Sequence, residues 1–198
     1  MARGFKGSDT PVEIRDYWRT PEYAFLPLDA EFNFGLDAAA NAQNFLVPSY
    51  LTEQQDALSQ RWLDYILPFC GRTVWCNPPY SDIGPWMRKA AEEARRDAVT
   101  TVLFVPNTPD AGWWPDDASE IRFITGEDRG PRRNVSGRVN FVRADTGEEQ
   151  RGNNKGSCYV IFAPGSMGNM VTKYIKKSVL LEKTEAIKAE RNKGASNA

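Results

Sequence analysis

Short apolar runs, separated by polar stretches broken at proline, dominate the pattern of this chain. Val74-Trp75-Cys76, Thr101-Val102-Leu103-Phe104-Val105, Ile121-Arg122-Phe123-Ile124-Thr125 and Cys158-Tyr159-Val160-Ile161-Phe162 are short and apolar enough to predict buried strands. Phe32-Asn33-Phe34-Gly35-Leu36-Asp37 alternates apolar with small or polar positions and predicts the first central strand, ending at Asp37. Helix-start chemistry lies between the runs. Thr10-Pro11-Val12-Glu13 has the form of a capping box with proline in the first turn, predicting a short helix through Arg15 and Trp18. Thr20-Pro21-Glu22 starts a second, ended near Pro27, and Thr52-Glu53-Gln54-Gln55 opens a third through Trp62 and Tyr65. Good helix formers run from Gly84-Pro85 through Arg96, and Pro109 to Ala118 predicts a short helix displaying Trp113 and Trp114, one of them most simply core and an exposed one a candidate base-contacting aromatic. From Met170, the residues Val171, Tyr174, Ile175 and Leu181 fall near helical spacing, with lysines on much of the other face, which predicts an amphipathic C-terminal helix. Strand and helix alternate, so an α/β fold around a mainly parallel sheet is expected.

Composition narrows the class. With 198 residues, 41% of them hydrophobic, the chain has the size of one domain with a proper core. No apolar run approaches the roughly 20 residues that cross a bilayer, and Met1-Ala2-Arg3-Gly4-Phe5-Lys6 lacks a signal-peptide core. A cytoplasmic protein with no membrane partner is expected. Cys70, Cys76 and Cys158 show no metal-ligand spacing and read as small hydrophobes in a reducing compartment. Histidine is absent, which removes Ser-His-Asp and Cys-His hydrolysis and argues against a metal site.

Net charge is −1, which alone argues against a polyanion partner, but the charge is unevenly spread. Lys173, Lys176, Lys177, Lys183, Lys188, Arg191 and Lys193 outnumber Glu182, Glu185 and Glu190 in the tail. A polar insertion, 126–156, carries Arg129, Arg132, Arg133, Arg138, Arg143, Arg151 and Lys155. Long loops in compact domains are usually functional or disordered, and this one is the candidate for phosphate and base contacts.

The most specific chemistry follows Val74-Trp75-Cys76, where the apolar run stops at Asn77-Pro78-Pro79-Tyr80. Two fixed φ angles stiffen the loop, and Asn77 is pushed to extended backbone by the proline after it. The Asn77 side-chain oxygen and the Pro78 carbonyl can together accept both hydrogens of one planar amino group, leaving the nitrogen lone pair for attack on an electrophile. Tyr80 adds an aromatic face for a flat heterocycle. Transfer of a methyl group from a sulfonium to such an amine needs no histidine.

Asn77-Pro78-Pro79-Tyr80 resembles the catalytic motif of amino-methyltransferases that use S-adenosyl-L-methionine. The surrounding order, Trp18-Arg19-Thr20-Pro21, Leu36-Asp37-Ala38-Ala39-Ala40, Asp56-Ala57-Leu58, Trp62 and the motif itself, is similar to the phage-type DNA adenine methyltransferases (Dam family). The resemblance implies a Rossmann-like methyltransferase domain over 1–165 with an antiparallel strand at the end of the sheet, followed by a basic helix and tail over 166–198. It implies methyl transfer to N6 of a flipped-out adenine in double-stranded DNA, with GATC as the expected target, by Asn77, Pro78, Pro79 and Tyr80. Protein glutamine or RNA guanine methylation, and a non-catalytic DNA-binding protein on the same scaffold, are the competing readings.

For the cofactor, the resemblance points to Thr20, Pro21, Asp37, Ala38, Ala39 and Asn77, although Thr20 also reads as a plain helix cap and the turn after Asp37 lacks the glycines usual in this fold. Asp56 lies where an acid binds ribose in many nucleotide sheets, whereas the resemblance places it on the cofactor's adenine amino group. Arg129, Arg132, Arg133, Arg138 and Lys155 are the DNA-contact candidates, and Gly137-Arg138-Val139-Asn140-Phe141 is similar to a Gly-Arg-x-x-Phe segment near the family's active-site rim. Monomer and homodimer both stay open, and a phage-encoded protein would work in its host's cytoplasm.

Overall fold

The computed structural model describes residues 18–131, 133–143, 146–149 and 155–195. Its strands are β1 (Trp18–Arg19), β2 (Leu36–Asp37), β3 (Thr73–Cys76), β4 (Thr100–Pro106), β5 (Glu120–Thr125), β6 (Val142–Arg143), β7 (Ser157–Phe162) and β8 (Val171–Lys176). The α-helices are α1 (Glu22–Phe32), α2 (Gly84–Asp97) and α3 (Lys177–Ala195). Six strands form one sheet in the order β2-β3-β4-β7-β5-β8, and β1 pairs with β6 as a separate ribbon. β2, β3 and β4 run parallel, β7 is antiparallel to both β4 and β5, and β8 runs parallel to β5. The fold is the expected Rossmann-like α/β arrangement. Its antiparallel strand, β7, lies inside the sheet, and β8 takes the edge.

Period-two alternation builds a core on each face. Val74, Cys76, Leu103, Val105, Cys158, Val160 and Phe162 meet Met87, Ala90, Ala91 and Ala94 of α2 and the buried Trp62. Trp75, Val102, Phe104, Tyr159 and Ile161 point the other way, against Tyr23, Phe25 and Leu28 of α1 and Leu180 of α3. Trp75 is the hub of that second face. Its ring meets Phe25 edge-on at 5.2 Å and Phe104 stacked at 6.0 Å, and each such pair adds about 0.5–1.5 kcal/mol to area burial. The C-terminal helix docks on the body: Lys188 and Arg191 pair with Glu22 and Asp29 of α1.

Several local expectations need correction. The helix expected through Arg15 and Trp18 lies mostly outside the described residues, and Trp18 itself is in β1. The second helix does not end near Pro27 but continues to Phe32, because its buried Tyr23, Phe25 and Leu28 outweigh one missing donor. The first central strand is therefore confined to Leu36–Asp37, after a left-handed Asn33 at φ 51°. The capping box at Thr52 and Gln55 forms, yet it opens only a 3-10 turn, Glu53–Gln55. Asp56 stops it at φ 49°, and a second 3-10 turn covers Trp62–Tyr65. Pro109 to Ala118 is a run of turns, not a helix. Val171 to Lys176 is strand β8, and the C-terminal helix starts only at Lys177. β-branched Val171, Thr172 and Ile175 favour the pleated edge that β5 offers there.

Candidate active site

Asp37 and Asn77 leave the carboxyl ends of adjacent parallel strands. Asp37 is in register with Trp75, and the Ala38 N–H donates to the Trp75 carbonyl at 2.9 Å. Ligands of open α/β sheets bind at this end. Cys76 is fully buried and Pro78 is buried, whereas Pro79 and Tyr80 are exposed, so the loop emerges from the core within two residues.

Thr20 and Pro21 arrive from β1, and the Asn77 amide nitrogen donates to the Thr20 hydroxyl oxygen at 3.2 Å. Thr20 and Pro21 are buried, and Asn77 is half-buried. The plain-cap reading of Thr20 does not hold, because Pro21 is the N-cap of α1 and no side chain caps it. With its nitrogen spent on Thr20, the Asn77 amide leaves its oxygen buried and without a donor among the described residues. Such an acceptor costs about 1–3 kcal/mol until a donor arrives. The Trp75 indole N–H and the Thr101 hydroxyl also lack partners, but both lie inside the sheet, whereas Asn77 is on the loop.

Tyr80 is 40% exposed. Burial, followed by the neighbouring Cys158, pushes its phenol above the ordinary range. Phe141 meets that ring edge-on at 6.0 Å and also contacts Phe104 at 5.9 Å. Phe141 thus joins the candidate site from outside the expected set of Asn77, Pro78, Pro79 and Tyr80, and the Gly-Arg-x-x-Phe segment is its signal in the sequence. The segment is held by close backbone approach. A Cβ on Gly137 would lie 2.3 Å from the Thr125 carbonyl carbon, and one on Gly126 would lie 2.2 Å from the Val135 oxygen. Glycine is required at both positions.

Asp37 is 3% exposed. Its carboxylate accepts the Leu46 N–H at 3.1 Å and the Ala39 N–H at 3.4 Å, with no cation beside it among the described residues. Burial outweighs those two bonds and pushes its pKa from 3.8 up to about 7. A cationic ligand would restore the charged form. Ala38 is fully buried and Ala39 half-buried, giving a turn of small side chains in place of glycines. An orphaned acceptor at Asn77 and an uncompensated carboxylate at Asp37 fit a cofactor that carries positive charge. Next to Leu46, the exposed Phe45 stacks on Tyr50 at 4.7 Å and 8°, a feature the sequence pattern did not reveal.

Asp56 follows the Tyr50-Leu51 segment that bridges to Asp37. It is exposed, and its carboxylate meets no partner among the described residues. The segment between Asp56 and Tyr65 is anchored to α2. Glu93, fully buried, pairs with Lys89 at 2.7 Å and accepts the Trp62 N–H at 3.2 Å, while Arg61 pairs with Asp97.

Of the DNA-contact candidates, Arg129 is held by Glu127, Arg133 and Arg138 are exposed, and the Arg138 carbonyl accepts the Lys177 ammonium at 3.0 Å. Lys155 is exposed, and Arg132 lies outside the described residues. Trp113 and Trp114 pack against the core, half-buried. No helix among the described residues is long and apolar enough to cross a membrane, and no described cluster of histidine, cysteine or carboxylate side chains could hold a metal ion.

A family profile described as DNA N-6-adenine-methyltransferase (Dam) matches residues 7–187. The chain is 32% identical over 168 residues to a DNA N-6-adenine-methyltransferase of Escherichia phage T1, across 81% of this chain and 67% of the relative. It is 30% identical over 183 residues to a DNA N-6-adenine-methyltransferase of Haemophilus phage HP1, across 89% of this chain and 95% of the relative. No solved structure matches the chain.

Proposed function

The chain belongs to the DNA N-6-adenine-methyltransferase (Dam) family, and from that premise we propose that it transfers the methyl group of S-adenosylmethionine to N6 of an adenine swung out of duplex DNA, with GATC as the first target sequence to test. The observation that supports this reading most directly is the buried Asn77 oxygen that lacks a donor on a loop stiffened by Pro78 and Pro79.

When bound, S-adenosylmethionine supplies an electrophilic methyl carbon on a positively charged sulfur. Thr20, Pro21, Asp37, Ala38 and Ala39 would hold it, with Asp37 contributing the compensating charge and Asp56 open towards its ribose or adenine. The Asn77 oxygen and the Pro78 carbonyl accept the two hydrogens of the adenine amino group, and Thr20 keeps the Asn77 amide turned so that its oxygen is the free end. Tyr80, braced by Phe141, stacks on the base. Swinging the adenine out costs a few kcal/mol of pairing and stacking, which the clamp and the aromatic face offset. Positioning carries most of the acceleration, and the amine sheds its proton to water after attack. Arg133 and Arg138 are the insertion's accessible phosphate contacts, with Arg129, Arg132 and Lys155 as the further candidates.

Nucleoside mass spectrometry tests the reading, using unmethylated duplex DNA containing GATC and labelled S-adenosylmethionine. N6-methyladenine is expected with the native chain and not with Asn77→Ala, which keeps its cofactor affinity. Activity in Asn77→Ala sinks the clamp. Label found only in RNA guanine or protein glutamine overturns the DNA substrate.

A further inference from the structure

A groove opens beside Tyr80, along the loop that follows β3. Its first part, about 350 Å³, runs from Tyr80 and Asp82 past Gly84 to Arg88, with Trp113 as the facing wall. A second part, about 410 Å³, shares Arg88, Gly84, Gly112 and Trp113 and reaches Arg95 and Asp117. Both are at the low end of ligand-pocket sizes, roughly 300–1,000 Å³. The two walls leave the carboxyl ends of β3 and β4, adjacent parallel strands, and Tyr80, the proposed face for the target base, lines the groove's first part.

Arg88 marks what the groove takes. Among the described residues, Arg61, Arg95, Arg96, Arg122, Arg129 and Arg191 each face a carboxylate. Arg19 and Arg72 donate to the Gln43 and Asp97 carbonyls, whereas the exposed Arg88 guanidinium has neither kind of partner among the described residues, a state it shares with Arg133 and Arg138. Glycines keep the channel open beside it. A Cβ on Gly84 would lie 3.3 Å from Arg88 Nη1 and 3.6 Å from Trp113 Cβ, and the space beside Gly112 is empty to 4 Å. Trp113 is propped from behind by Trp114, ring centroids 5.6 Å apart, and Trp114 stacks on Phe123 at 6.2 Å. At the far end Asp117 is neutralised by Arg95 while Asp116 is not, so an anionic backbone is favoured only as far as Arg88.

We propose that this groove receives the nucleotide flanking the flipped adenine, with Arg88 on its phosphate and Trp113 against its sugar or base. Asp82 and Ser81, on the Tyr80 side, are left to face polar base edges. The inference rests on the methyl-transfer reading for the place of the flipped base and on the family for the DNA itself.

Fluorescence anisotropy with a labelled unmethylated duplex, titrated across salt, tests it. One phosphate contact contributes about 0.9 to the slope of log affinity against log salt. Arg88→Gln should therefore lower the slope by about 0.9, so that its affinity falls about 3.5-fold less than that of the native chain between about 50 and 200 mM salt. Arg88→Lys should restore the slope, and Trp113→Phe should keep DNA affinity closer to native than Trp113→Ala. Arg88 is exposed, so both of its variants are expected to fold. An Arg88→Gln protein with native affinity and slope overturns the proposal, as does a lysine variant that fails to restore the slope. Binding is read without turnover, so absence of N6-methyladenine with the native chain would defeat the transfer reading and leave this result standing.

Discussion

Asp37→Asn separates the two things asked of that side chain, its fit in the fold and its charge towards a ligand. Burial raises the Asp37 pKa from 3.8 to about 7, so the folded state holds a proton that the unfolded chain releases. The sign follows: the contribution is fully present below the unfolded pKa and is lost as pH rises through about 7. A shift of that size corresponds to about 4 kcal/mol, and the side chain is too buried for solvent to screen much of it. Asparagine is neutral at every pH. It can keep the Leu46 N–H bond but loses the longer one to Ala39, costing about 1 kcal/mol. The variant should thus be slightly less stable than the native chain near pH 4 and about 3 kcal/mol more stable near pH 8. Urea denaturation without ligand at both pH values measures this, and titration with S-adenosylmethionine should show weakened binding. A variant as destabilised near pH 8 as near pH 4 would refute the claim that Asp37 carries an uncompensated charge. Native cofactor affinity would refute its assignment to the cofactor.

Thr20→Val removes the acceptor that fixes the Asn77 amide and should lower kcat about tenfold, the worth of about 1.4 kcal/mol, and should also weaken S-adenosylmethionine binding; Thr20→Ser should retain both, and native cofactor affinity in Thr20→Val would refute Thr20 as a cofactor contact. Gly137→Ala places its Cβ against the Thr125 backbone and should cost about 1–3 kcal/mol in chemical denaturation, with loss of the Phe141 brace seen as reduced kcat/KM. Glu93→Gln leaves Lys89 buried and unpaired and should cost about 3 kcal/mol or more, with faster amide exchange at Trp62 as the local sign.

The strands were legible because burial on two faces demands continuous apolar runs, and β3, β4, β5 and β7 lie within a residue of where those runs predict. Helix ends were less so. Asp56 adopts a left-handed backbone after a complete capping box, and nothing local forbids the helix from continuing. At Val171–Lys176 the same residues satisfy helical spacing and strand propensity, and the free edge of β5 decides between them. The Thr20–Asn77 hydrogen bond joins residues 57 positions apart, so the sequence could offer each residue as a candidate but not the link. The loop of two prolines was legible for the opposite reason: its stiffness is local.

Charge placement explains how a chain of net charge −1 can serve a polyanionic substrate. Most of its described arginines are consumed internally, and so is much of the basic tail. Lys188 and Arg191 close on α1, Lys173 on Glu120, and Lys177 lies over the Tyr23 ring at 5.0 Å. Among the groups that the described residues leave uncompensated, three lie at the carboxyl edge of the sheet or beside it: the Asp37 carboxylate, the Asn77 oxygen and the Arg88 guanidinium. Each lacks a different partner, respectively a cation, a hydrogen-bond donor and an anion. On the proposed reading, a sulfonium cofactor, an exocyclic amine and a phosphate would supply those three in that order. On that reading, a single phosphate at Arg88 and a few at the insertion would give modest non-specific affinity, and discrimination would come from the target base and its neighbours rather than from the backbone.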